Sequence, residues 1–77
     1  MRLRDLREDH NMTQSTLAGI LHIKQNTYSQ YENGQRQVPN EILIQLAFIY
    51  DTSVDYILEI TDEPNPYPRK AVKPSRS

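Results

Sequence analysis

Apolar residues recur at helical intervals through the first sixty positions. Leu3 and Leu6 sit three apart in a charged segment. This predicts a first helix from about Arg2 to His10, with Asn11 placed to take the left-handed conformation that ends many helices. Thr13 suits the N-cap of a second helix, on which Leu17, Ala18 and Leu21 share one face. His22, Ile23 and Lys24 make a short break. Tyr28 and Tyr31 then mark the inner face of a third helix, about Gln25 to Asn33, stopped by Gly34. A loop through Val38 leads to Pro39, whose fixed φ fits a first helical turn, and the fourth helix spans about Asn40 to Tyr50. Ser53 caps a short fifth helix, with Asp55 in its first turn where the helix dipole favours an acid. No stretch alternates apolar and polar residues over a strand's length. Five short helices with brief connections predict a compact all-α bundle.

The pattern stops at Asp62. Residues 62–77 hold four of the five prolines and little that builds a core. They are read as an extended, disordered tail, leaving residues 1–61 as the folded domain. The fourth helix raises a different question, because it is apolar on nearly every side. Leu43, Leu46, Ala47 and Tyr50 form its core stripe, so Ile42, Ile44, Phe48 and Ile49 need other cover. The fifth helix adds Tyr56 and Ile60 beyond its core residues Val54, Ile57 and Leu58. A helix hydrophobic all round is either buried or at an interface. The expectation is a homodimer joined through Phe48, Ile49, Tyr56 and Ile60. The competing arrangement has the first helix and the tail cover these residues within one copy.

The third helix carries the functional signal. At about 100° per residue, Asn26, Ser29, Gln30 and Asn33 line the face opposite Tyr28 and Tyr31. This stripe is polar yet uncharged, whereas an ordinary solvated face uses Lys and Glu, which are better helix formers. Asn and Gln amides each offer a paired donor and acceptor, matching the N6/N7 edge of adenine in a major groove wide enough for one helix. A bland solvated face explains the stripe as well when this helix is taken alone. Its neighbour changes the balance. Two helices of about this length joined by a tight turn, the second with an amide-rich outer face, are what a helix-turn-helix requires.

Composition narrows the classes further. The chain has 77 residues, no Cys and no Trp. Thiolate zinc sites and disulfide scaffolds are excluded. His10 and His22 have no ligating companions at suitable spacing, so no metal is expected. No nucleophile–base constellation or glycine-rich phosphate loop is present, so neither an enzyme nor a cofactor is expected. With no long apolar run and a charged N-terminus, a cytoplasmic protein without membrane association is expected. Nine basic residues face ten acidic ones. Residues 1–40 are mildly positive, 41–61 strongly negative and 62–77 mildly positive. Any DNA contact must therefore lean on uncharged donors, with a shallow salt dependence. The tail bases Arg69, Lys70, Lys73 and Arg76 are candidates for a flanking phosphate contact.

The segment MTQSTLAGILHIKQNTYSQYENGQR, followed by LIQLAFIYDTSVDYIL, resembles the Cro/C1-type (XRE) helix-turn-helix family, the lambda-repressor-like DNA-binding domain. The resemblance runs from about Leu3 to Leu58. It rests on Thr13-Gln14, Leu17-Ala18, Tyr31-Glu32-Asn33-Gly34, Leu46-Ala47 and Val54-Asp55-Tyr56 in the family's order and spacing. It implies a five-helix domain that binds double-stranded operator DNA, usually as a two-fold dimer. By that resemblance Gln25, Asn26 and Gln30 read base edges. Gln14 contacts a phosphate or a base at the start of the second helix. Thr27 and Ser29 flank the reading surface, while Asn33 and Arg36 fall near the backbone contacts. Arg7 and Glu32 match a pair that commonly forms a partly buried ion pair, although spacing alone would make them unrelated surface charges. Three residues depart from the pattern. His22 stands where the family commonly has Gly, Asp51 where Gly often ends the fourth helix, and Lys24 where a Ser or Thr usually caps the third. Lys24 gives up a cap hydrogen bond for a position suited to a phosphate. The functional expectation is a sequence-specific transcriptional regulator acting as a repressor. The alternative is an antitoxin-like protein-interaction module working through the fourth and fifth helices.

Overall fold

The computed structural model describes residues 1–68. Five helices follow one another, α1 (Leu3–Asp9), α2 (Gln14–Leu21), α3 (Gln25–Glu32), α4 (Asn40–Ile49) and α5 (Val54–Ile57), and the described residues contain no strand. Two of the helices, α2 and α5, start at side-chain caps. Thr13 Oγ1 accepts from the Thr16 N–H at 3.0 Å, and Ser53 Oγ accepts from the Tyr56 N–H at 3.0 Å. Each satisfies one of the donors that a helix start leaves unpaired.

All five helices end alike. A residue with positive φ follows the last turn: Asn11 at 56°, His22 at 59°, Gly34 at 75°, Asp51 at 51° and Glu59 at 68°. The amide after it reaches back to a carbonyl five residues earlier: Met12 to Arg7, Ile23 to Ala18, Gln35 to Gln30, Thr52 to Ala47, and Ile60 to Asp55. This is the Schellman closure, and a single left-handed residue satisfies two terminal carbonyls. Glycine takes that conformation without strain, yet only one of the five positions is Gly.

The core gathers at the centre of these short helices. Leu3, Leu17, Tyr28, Leu46 and Ile57 are fully enclosed, one from each helix. α2 packs on α3, α4 on α5, and α1 against α3. Val38, from the loop before α4, also turns inward. Ile42 departs from expectation: it is 7% exposed and belongs to the intramolecular core rather than awaiting outside cover. Ile49 packs partly on the core, whereas Ile44 and Phe48 stay 52% and 55% exposed. Of the four apolar residues beyond the core stripe, Ile44 and Phe48 thus remain as one outward stripe.

Residues 62–68 continue from the helical part. They form no helix but lie tied to the domain. The buried Thr52 hydroxyl donates to the Pro64 carbonyl at 2.6 Å, and the Tyr67 hydroxyl donates to Asp55 at 2.7 Å. Prolines lack an N–H, but their carbonyls still accept. Arg2 closes the same region from the other end of the chain. Its backbone N–H bonds the Ile57 carbonyl, its Nε donates to the Tyr56 carbonyl at 2.8 Å, and its Nη2 donates to Asp62 at 2.9 Å. The guanidinium also sits 4.2 Å from the Tyr56 ring centroid, in cation–π range. Tyr56, expected at a dimer interface, is thereby half-buried within its own chain. The four tail bases Arg69, Lys70, Lys73 and Arg76 lie outside the described residues.

Candidate nucleic-acid interface

The α2–α3 turn sets the candidate reading helix. His22 takes the left-handed conformation, and Ile23 behind it packs partly against the core. The chain enters α3 through Lys24 in extended conformation, whose side chain makes no capping bond. The start of α3 therefore lacks a side-chain acceptor for its first amides and carries an exposed cation beside them.

Tyr28 and Tyr31 anchor the inner face of α3, their rings edge to face with centroids 6.4 Å apart. This fixes the helix's rotation. Gln25, Asn26 and Asn33 are exposed, while Thr27, Ser29 and Gln30 are half-buried along the same element. Beyond α3, Gly34 turns the chain back, and Arg36 Nε donates to Gln30 Oε1 at 2.8 Å. The fold thus brings Lys24, Gln25, Asn26, Thr27, Ser29, Gln30, Asn33 and Arg36 onto one helix and its immediate flanks. Gln14 is held differently. It is half-buried at the start of α2, and its Nε2 donates to Glu32 Oε1 at 3.0 Å.

Glu32 is the electrostatic centre beneath this surface. Its side chain has no solvent exposure. Arg7 approaches it in a fork, Nε to Oε2 at 2.7 Å and Nη2 to Oε1 at 3.3 Å. Arg4 Nε lies 3.6 Å away, and Arg7 Nη1 donates to the Met12 carbonyl at 2.9 Å. Burial by itself would raise the Glu32 pKa. Arg7 foremost, then the neighbouring Tyr28 hydroxyl and the Gln14 amide, outweigh it and hold the carboxyl below its ordinary range. One carboxylate so joins α1, the start of α2 and the end of α3. Spacing does not reveal Arg4 or the hydrogen bond from Gln14 to Glu32. The only hint for Arg4 was its place one helical turn before Arg7.

Two phenols border this network. Tyr28 and Tyr50 hydroxyls are buried without a well-formed hydrogen bond. Burial pushes the Tyr50 phenol up to about 12 and raises that of Tyr28 further. His10 has Nδ1 at 2.9 Å from the Leu6 carbonyl and its ring against Tyr50. The described residues contain no group of side chains able to hold a metal ion. No described helix is long and apolar enough to cross a membrane. Away from α3, Phe48 and Ile60 are exposed, and Ile49 and Tyr56 half-buried.

Comparison with known proteins agrees with this architecture. A family model described as Helix-turn-helix matches residues 3–57. Over 65 residues the chain is 45% identical to the uncharacterized HTH-type transcriptional regulator YobD of Bacillus subtilis (strain 168), covering 84% of this chain and 58% of that one. It is 39% identical over 57 residues to the HTH-type transcriptional regulator AnsR of the same organism, covering 74% and 49%. With the HTH-type transcriptional regulator ImmR, also from that organism, the identity is 35% and the coverage 74% and 45%. The chain spans about half the length of these curated relatives. No solved structure matches it at a significant level. A tight α2–α3 turn, an amide-faced α3 and a family match from Leu3 to Ile57 lead to one assignment: the chain belongs to the Cro/C1-type helix-turn-helix family of transcriptional regulators.

Proposed function

We propose that this protein is a sequence-specific DNA-binding repressor that acts in the cytoplasm as a homodimer on a pseudo-palindromic operator. The observation that carries the reading is the uncharged, amide-rich outer face of α3, held outward by the buried Tyr28 and Tyr31. α3 enters the major groove. Gln25, Asn26 and Gln30 read base edges, while Gln14, Lys24, Thr27, Ser29, Asn33 and Arg36 position the helix on the sugar-phosphate backbone. A two-fold dimer through Phe48, Ile49, Tyr56 and Ile60 sets two such helices about one turn of DNA apart, roughly 34 Å. No catalytic step is assigned to the protein.

Selection of bound sequences from a random duplex pool tests the reading directly. Enrichment of an inverted repeat is expected. Asn26→Ala and Gln25→Ala are each expected to weaken binding to that repeat by about 1–3 kcal/mol while leaving the helical circular-dichroism signal unchanged. Undiminished binding by both variants would remove these residues from the reading surface. The exposure of Ile44, Phe48 and Ile60 favours one other reading, an antitoxin-like module that holds a second protein. A tight protein complex formed through these residues, together with no enriched DNA sequence, would establish that reading instead.

A further inference from the structure

We propose that Arg36 is a specificity-determining positioning residue. By holding the Gln30 carboxamide oxygen, it makes Gln30 a donor-only reader that selects guanine over adenine. The proposal deepens the DNA-reading role of α3 and rests on it.

A guanidinium has donors and no acceptor, so the atom it meets at 2.8 Å must be the amide oxygen of Gln30. The Gln30 NH2 group therefore points away from Arg36. Backbone geometry supports this arrangement. Gly34, with φ at 75°, reverses the chain, and the Gln35 amide bonds the Gln30 carbonyl at 2.9 Å. Arg36 is thus brought back over the last turns of α3 next to a residue six positions earlier. Gln30 is half-buried, so its amide is further limited in rotation.

The consequence follows from the base edges. A free Gln amide pairs with adenine by donating to N7 and accepting from N6. The held amide has its oxygen occupied. A second lone pair remains, but a donor brought to it, such as adenine N6, would meet the positive guanidinium already there. Guanine instead presents two acceptors, N7 and O6, and no donor beside them. Both match an NH2 group, and both gain from a neighbouring cation. The preferred partner of the Arg36–Gln30 pair is guanine.

A plain phosphate contact by Arg36 makes a different prediction, which gives the test. Bound sequences are selected from a random duplex pool with the wild-type chain, Arg36→Met, Gln30→Ala and the double variant. The Gln30→Ala pool identifies the one half-site position that Gln30 reads. At that position the wild type is expected to prefer guanine over adenine by about tenfold. Arg36→Met is expected to erase or invert that preference, with the other positions unchanged. In the Gln30→Ala background, Arg36→Met is expected to alter no base preference. Circular dichroism checks that each variant folds, and Arg36 is exposed enough for the substitution to be tolerated. A uniform loss of affinity in Arg36→Met, with guanine preference intact, overturns the proposal and leaves Arg36 a phosphate contact. Adenine at the Gln30 position of the wild-type pool overturns it as well, as does a Gln30→Ala pool identical to the wild type. If the wild type enriches no sequence, the DNA-reading role of α3 fails, and that result is distinct from the others.

Discussion

At the scale of single residues, Glu32 decides most. Its side chain is sealed from solvent, and four side-chain donors from Arg7, Arg4 and Gln14 approach it. An isolated buried carboxylate would be costly, so the fork from Arg7 is what keeps it ionised. Arg7→Met is expected to destabilise the fold by about 3–5 kcal/mol at neutral pH, because it strands that charge. The pH dependence should then invert. In the wild type the carboxyl is held below its ordinary range, so its contribution is full above that range and is lost as the pH falls through the lowered value. Without Arg7, burial raises the carboxyl instead, and acidification relieves the penalty by protonating it. Urea unfolding at neutral and mildly acidic pH would show the variant's deficit shrinking on acidification; a constant deficit would mean that Glu32 is not the stranded charge. Much of this site was beyond the reach of the sequence. Arg7 and Glu32 lie too far apart for any local rule to pair them, and only the family resemblance joined them. The hydrogen bond from the Gln14 amide to Glu32 was equally hidden, because nothing local shows which direction a helix-start side chain will take. The two buried phenols of Tyr28 and Tyr50 were legible as apolar rings, but their hydroxyls had no expected partner, and neither makes a well-formed bond.

At the scale of elements, periodicity placed all five helices, and capping chemistry marked the starts of α2 and α5. Leu17, Ala18 and Leu21, or Tyr28 and Tyr31, repeat at spacings that only a helix puts on one face. Thr13 and Ser53 are oxygen-bearing residues just ahead of those repeats, and both act as caps. The helix ends were harder to read. Asp51 and Glu59 both take positive φ, which Asp tolerates better than Glu, and the Schellman closure supplies two backbone bonds in return. His22 is the most consequential of these residues, since it sets the angle between α2 and α3. A left-handed conformation costs a side-chain-bearing residue about 1–2 kcal/mol, and glycine's larger unfolded-state entropy offsets part of what relief would bring. His22→Gly is therefore expected to raise stability by about 0.5–1 kcal/mol with DNA affinity unchanged, as read by thermal melting and operator titration. A loss of stability would show that the His22 side chain contributes more than its backbone strain removes.

At the scale of the whole molecule, the two ends of the described chain meet. Arg2 bonds the carbonyls of Tyr56 and Thr61, while Pro64 and Tyr67 tie to Thr52 and Asp55. Residues beyond Asp62 read as tail because prolines break the helical pattern, and no local signal shows that a proline carbonyl will find a buried hydroxyl. This clasp covers one residue expected at a dimer interface, since Tyr56 lies under the Arg2 guanidinium. Ile60 remains 70% exposed, next to Glu59 and near Asp62 in sequence. In a two-fold interface one substitution acts twice. Ile60→Asp would remove an apolar contact from each copy and bring added negative charge toward its symmetry mate. The dimerisation constant is expected to fall by about a hundredfold or more, corresponding to roughly 3 kcal/mol or more from the two lost side chains. Sedimentation at micromolar concentration should show a dimer for the wild type and a monomer for the variant, with the helical signal preserved. Affinity for a full operator should drop, while affinity for a single half-site should not change, because α3 itself is untouched. A variant that still sediments as a dimer would move the interface away from the end of α5 and toward the exposed Ile44 and Phe48 stripe of α4.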